Sequence, residues 1–188
     1  MRYDWSELYE TALICEKCPL SKSRHHVVIG MGNTKADVML IGEGPGRDED
    51  MQGLPFVGSA GKLLDKMLGA INITRDKVYI ANIVKCRPPQ NRTPLEDEAM
   101  SCLPYLRAQV ALVQPKIIVC LGATAVRYVL GSDIRITRDR GTWFERKGVF
   151  IMPTYHPAAL LYDETKKRDS WEDLKSLRAK IDELNIEL

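Results

Sequence analysis

The chain has 188 residues, of which 45% are hydrophobic and 28% charged, and its formal net charge at pH 7 is +2. These values suit one globular domain over residues 1–188 with a full core, and they exclude a disordered or membrane-embedded chain, since the longest apolar runs fall far short of the roughly 18 residues a spanning helix needs. A charge this near zero neither demands nor excludes nucleic acid, because a basic face coexists with acidic residues elsewhere.

The amino-terminal residues 1–10 carry acids early and have no apolar segment, so they do not read as a secretory signal, and a cytoplasmic location is expected. In such a compartment cysteines serve as metal ligands more often than as disulfides. Cys15 and Cys18 form a C-x2-C pair followed by Pro19, and Cys86 and Cys102 form a second pair downstream. Four thiolates hold either tetrahedral zinc or a cubane iron–sulfur cluster, and spacing alone does not separate the two. Cys120 sits inside an apolar run and reads as core.

Four β-branched-rich runs, Val38 to Gly42, Val78 to Asn82, Ile117 to Leu121 and Val149 to Pro153, have the continuous apolarity of strands buried on both faces. Segments with helical spacing lie between them. Ser59 reads as the cap of a helix carrying Leu63, Leu64, Met67, Leu68 and Ile71. Thr93-Pro94-Leu95-Glu96 reads as a capping box opening a helix that runs to about Val113, where Gln114-Pro115 ends it. A shorter helix follows Gly122, and an amphipathic one spans Trp171 to Leu184. This alternation predicts an α/β fold, a three-layer sandwich with a central four-stranded parallel sheet flanked by helices. Ligands in such sheets bind beyond the carboxyl ends of the strands.

The unusual polar chemistry falls at that edge. Gly42-Glu43-Gly44-Pro45-Gly46 is too glycine-rich for regular structure and forms a tight loop, which lets N–H groups approach a planar or anionic ligand and equally suits a plain turn. It is neither a Walker A loop nor a G-x-G-x-x-G fingerprint. Phe56 places an aromatic ring in the same region; an aromatic alone is more often core, but beside a loop of backbone donors it is what a stacking pocket for a nucleobase needs. Asn82 ends the second run with an amide that donates and accepts, which suits a pyrimidine edge and equally suits a turn. Lys85, Arg87 and Arg92, set among rigid prolines, are candidate phosphate contacts, with a solvated loop as the plain alternative. His156, in Thr-Tyr-His-Pro after the fourth run, is the best candidate for chemistry among three histidines. His25 and His26 have no comparable setting.

Taken together, Cys15-Glu-Lys-Cys18, the stretch from Gly42 to Asp65, the stretch from Asn82 to Pro94, Thr154 to Leu161 and Cys102 in register closely resemble the family 4 uracil-DNA glycosylases, the iron–sulfur class of that superfamily. The resemblance runs from about Cys15 to the final helix and implies a uracil-DNA glycosylase-like fold. It implies that Cys15, Cys18, Cys86 and Cys102 bind a [4Fe–4S] cluster that organises the surrounding loops. It further implies that Gly42, Glu43 and Gly44 line the uracil site, Phe56 stacks on the base, Asn82 reads its polar edge and His156 contacts O2. Glu49 matches a position near C5, where it would exclude the methyl group of thymine. Most other branches keep a polar water-activating residue immediately before the loop proline; here that slot is Gly44, which leaves the water-activating group unassigned.

The activity implied is monofunctional hydrolysis of the N-glycosidic bond of uracil flipped from single- or double-stranded DNA, as in base excision repair. Glu43 is a candidate to orient the water or support the cationic sugar, and equally a structural acceptor. Leu160 or Leu161 is a candidate wedge in the base stack, against ordinary packing. A covalent branch of that superfamily carries a nucleophilic histidine in a basic segment inserted after the second run; here Lys85-Cys86-Arg87-Pro88 stands there instead, so covalent trapping is not expected. A monomer is expected, with replication or repair proteins as candidate partners. Two rivals stand: a nucleotide-binding hydrolase, weakened by the absence of a loop lysine and a Mg²⁺ carboxylate pair, and a non-catalytic DNA-associated iron–sulfur protein.

Overall fold

In chain order the computed structural model contains strands β1 (Met31–Gly32), β2 (Val38–Gly42), β3 (Tyr79–Asn82), β4 (Ile117–Leu121), β5 (Phe144–Arg146) and β6 (Val149–Thr154). The helices are α1 (Trp5–Leu13), α2 (Arg47–Gln52), α3 (Ser59–Gly69), α4 (Glu96–Val113), α5 (Ala123–Val129), α6 (Ile136–Asp139), α7 (Pro157–Tyr162) and α8 (Lys166–Glu183). Residues 4–188 are described, so the first three residues of the segment read for a leader lie outside them. No helix of the described residues is long and apolar enough to cross a membrane.

The sheet order is β1-β3-β2-β4-β6-β5. The four apolar runs pair in parallel, β3 with β2, β2 with β4 and β4 with β6. The expected four-stranded parallel sheet is therefore corrected to a six-stranded mixed sheet, because β1 and β5 add antiparallel edges. Such short edge strands leave little unpaired backbone for another chain to pair with. The β5–β6 hairpin turns through Lys147 and Gly148, with φ of 52° and 79°, the positive pair of a type I′ turn.

Every residue of β2, β3 and β4 is buried. Met39, Ile41, Tyr79, Ala81, Ile118 and Cys120 face one core with α1, α4 and α5. Val38, Leu40, Ile80, Ile117, Val119 and Met152 face the other, with α3 and α8. This period-two alternation makes the three layers.

Two helix starts differ from expectation. Gly58, not Ser59, is the N-cap of α3. At α4 the Thr93 box is replaced by a later start: the Glu98 carboxylate accepts the Leu95 N–H at 2.8 Å, so the helix begins at Glu96. Gln114 ends α4 in the left-handed conformation, φ 55°.

Candidate active site

Parallel register brings the strand exits level, with Gly42 opposite Asn82 and Leu121 opposite Thr154. Beyond them opens a cleft of about 610 Å³ lined by Glu43 to Glu49, Phe56, Asn82, Gly122, Thr124 and His156, among others. That volume is in the range of small-molecule sites.

Gly42 has a steric reason to be glycine. A Cβ there would lie 2.5 Å from Asn82 Oδ1 and 2.6 Å from Phe56 Cζ, so its bare backbone lets both side chains converge on the cleft floor. At Gly44 a Cβ would stand 2.7 Å from Val84 Cγ2. Packing against the β3 exit thus explains why the water-activating slot of other branches carries no side chain here. Glu43, beside it, accepts a hydrogen bond from the Thr124 hydroxyl at the start of α5.

Glu49 was expected beside C5 of a base. Its carboxylate lines the cleft, yet it accepts the N–H groups of Gly46 at 3.0 Å, Val57 at 2.9 Å and Gly58 at 2.8 Å. With both oxygens engaged, it ties the glycine loop to the Phe56 loop. This bracing function is one the sequence did not suggest.

Asn82 is 2% exposed, and its Oδ1 has no hydrogen-bond partner. A buried acceptor without a partner costs about 1–3 kcal/mol, and Asn82 is one of the residues that line the cleft. Phe56 is buried, adopts φ 53°, and its ring lies 5.4 Å from that of His156 at an interplanar angle of 27°. His156 caps α7, its Nδ1 accepting the Ala158 N–H at 3.1 Å. An accepting Nδ1 carries no hydrogen, so the neutral ring has its one N–H at Nε2. Burial pushes the imidazole pKa down to about 4, against a smaller upward pull from Glu49. The ring is therefore a neutral donor at physiological pH.

Cys15, Cys18, Cys86 and Cys102 line a second, small pocket with Arg24, Lys85 and Tyr105. Among the described residues no three His, Cys, Asp or Glu side chains converge on a point where one metal ion would sit. Arg24 donates to Cys86 Sγ at 3.4 Å and to the Cys15 carbonyl at 2.6 Å, and the Lys85 N–H donates to Cys102 Sγ at 3.3 Å. Cys120 is 0% exposed in the core, where burial drives its thiol pKa well up.

Two of the expected DNA contacts are corrected. Lys85 is 2% exposed and donates to the Asn82 carbonyl at 2.7 Å. Its pKa is pushed down to about 8 by burial, with Cys102 and Cys86 opposing. It faces the cysteines and is out of reach of a phosphate. Leu160 is 1% exposed and belongs to the core, whereas Leu161 is 45% exposed; period 3.6 places adjacent residues on different faces of α7. Arg87 lies near the surface and bonds Asn91. Arg92 lines the cleft and holds the buried Glu98 carboxylate through both Nη atoms at 2.8 and 2.7 Å.

Sequence reading gave no role to Arg47, an exposed cation lining the cleft, or to Asp50 and Asp173. Asp50, buried, accepts the His25 N–H at 2.9 Å and pairs with the His25 ring at 2.7 Å, tying the cysteine-bearing arm to α2. Asp173, also buried, accepts the Thr154 hydroxyl at 2.7 Å and Arg140 at 2.6 Å, fixing the end of β6 two residues before His156. These partners are far apart in sequence, and no local pattern announces them.

Residues 29–175 match the model of the family described as the uracil DNA glycosylase superfamily. A type-4 uracil-DNA glycosylase of Sulfurisphaera tokodaii is 44% identical over 92% of this chain and 82% of its own length. Those of Archaeoglobus fulgidus and Thermotoga maritima are 41% and 43% identical, covering 91% and 89% of this chain and 90% and 89% of their own lengths. With a strand-edge cleft built around Asn82 and His156 and likeness of this extent, the chain belongs to the uracil DNA glycosylase superfamily, among its type-4 members.

Proposed function

We propose that the strand-edge cleft receives a uracil turned out of DNA and that the chain hydrolyses its N-glycosidic bond, releasing free uracil and leaving an abasic site. The observation that carries this reading is the open Oδ1 of buried Asn82, flanked by Phe56 and His156. An imide N–H answers that acceptor, whereas N3 of cytosine has no hydrogen to offer. Extrusion costs a few kcal/mol of unstacking and unpairing, recovered by stacking on Phe56 and by the polar contacts.

As the C1′–N1 bond breaks, the electron pair leaves with uracil and its charge spreads onto O2. The Nε2–H of His156 and the glycine-loop N–H groups that Glu49 does not hold stabilise that charge. Water then adds its hydroxyl to C1′ and its proton goes to the departing base. Glu43, which lines the cleft and accepts the Thr124 hydroxyl, would orient the water or support the cationic sugar. Arg47, Arg87 and Arg92 supply rim cations for flanking phosphates. Leu161, 45% exposed where Leu160 is buried, is the side chain of the two that would fill the gap in the base stack. The assay is direct: an oligonucleotide with one uracil should yield free uracil and an alkali-labile strand, and its thymine counterpart should remain intact.

The four-cysteine pocket fits a [4Fe–4S] cluster. A cubane spreads four thiolates over four irons, more widely than one ion does, and this matches thiols that share a pocket without converging on a point. The neighbouring Arg24 and Lys85 offset the negative charge of thiolates. When bound, the cluster would supply a crosslink between the amino-terminal arm, the loop after β3 and α4, holding the segments that carry Asn82 and Arg92. Anaerobically purified protein should contain iron and sulfide near four each per chain. Cys86→Ala should lose that iron and Cys120→Ala should keep it; stoichiometric zinc without iron would overturn the assignment.

A further inference from the structure

Phe56 reaches the cleft in a backbone conformation that a phenylalanine rarely adopts, φ 53°. The left-handed region costs an L-residue roughly 1–2 kcal/mol, so something outside the loop must hold it. On one side Glu49 takes the N–H groups of Val57 and Gly58. On the other stands Arg75, in the short 3-10 turn Arg75–Lys77 before β3.

The Arg75 guanidinium donates to the Pro55 carbonyl at 3.1 Å, to the Phe56 carbonyl, and at 3.5 Å to the Gly61 carbonyl. Its Nε donates to Asp65 on α3, and Nη1 also approaches Met31 Sδ at 3.6 Å. Every N–H of the fork has an acceptor within reach. Gly61 completes the arrangement, because a Cβ there would lie 1.8 Å from the Phe56 oxygen. Arg75 itself is not among the residues lining the cleft.

We infer that Arg75 is a positioning residue for base recognition: by gathering the carbonyls of Pro55 and Phe56 behind the cleft, it fixes the plane on which the extruded base stacks. The planar fork is essential, since a lysine ammonium is a point charge that does not reproduce several directed bonds. This inference rests on the stacking role given to Phe56 above.

The test is a double-mutant cycle on single-turnover uracil excision, with iron content and thermal melting checked for each variant. Arg75→Ala should excise about tenfold or more slowly, as misplacement of a binding surface does. In a Phe56→Ala background the same change should cost less than about twofold, because residues acting through one contact are not additive. Arg75→Lys should recover only part of the loss. Should Arg75→Ala fail to fold, Arg75→Lys takes its place in the cycle. Equal fold-losses in the two backgrounds would overturn the inference and make Arg75 a general stabilising residue. If Phe56→Ala alone excises at the wild-type rate, the stacking role itself fails, a result separate from the other.

Discussion

His156→Ala is expected to fold, keep its iron and bind uracil-containing DNA, yet to excise uracil at least about a hundredfold more slowly in single turnover. Removing a preorganised donor to developing negative charge typically costs about 10²–10³ in rate, roughly 3–4 kcal/mol. The Ala158 N–H occupies Nδ1, so the one N–H donor of the neutral ring is at Nε2. Because burial pushes the ring pKa down to about 4, protonation should not limit the rate near the ordinary value of about 6.5. The linkage has a definite sign. Between about 6.5 and about 4 the unfolded chain holds the proton and the folded chain does not, so this residue's contribution to stability is intact above pH 6.5 and is lost as pH falls. His156→Ala should therefore flatten part of the acid limb of the stability profile. Wild-type single-turnover rates in the folded, iron-replete variant would remove His156 from the chemistry and turn attention to Glu43.

Asn82→Ala should also be slow, and its more telling effect is on discrimination. A side-chain amide that reads a base edge contributes about 1–3 kcal/mol against the wrong base, so the preference for uracil over cytosine should fall about ten- to a hundredfold. Unlike His156→Ala, this variant should show weakened binding of the extruded base as well as slower excision. The substitution also removes a buried acceptor that is unpaired in the free protein, so thermal stability should hold or rise. Paired excision rates on uracil and cytosine oligonucleotides check the first effect and melting checks the second. Unchanged selectivity would take Asn82 out of recognition.

The four central strands were legible because a strand covered on both faces must be apolar throughout, as Val38 to Gly42 and Ile117 to Leu121 are. The edge strands were not legible. Met31–Gly32 is too short to carry a period, and Phe144–Arg146 is polar because an edge faces water. The clustering of Gly42, Asn82 and His156 could be read from strand exits alone, since parallel topology puts all carboxyl ends on one side. What escaped was set by tertiary partners. Lys85 reads as a surface cation until the cysteine pocket covers it. Leu160 and Leu161 are indistinguishable until α7 docks. The bracing by Glu49 shows only once its carboxylate is found on three backbone N–H groups, and Arg75 carries no motif because most of its acceptors are backbone carbonyls of a distant loop. The start of α4 moved because Glu98, in place of Glu96, accepts the N-cap N–H, which makes Leu95 rather than Thr93 the N-cap.

The most direct measurement compares single-turnover excision of uracil with that of N3-methyluracil at the same site in one oligonucleotide. The methyl group removes the imide hydrogen that the open Asn82 Oδ1 accepts while leaving O2, the face available for Phe56 and the glycosidic bond in place. Uracil should be released and N3-methyluracil should be excised at least about tenfold more slowly, the loss expected when a buried polar group is left unpaired. Equal rates for the two bases would contradict the claim that Asn82 recognises uracil in this cleft.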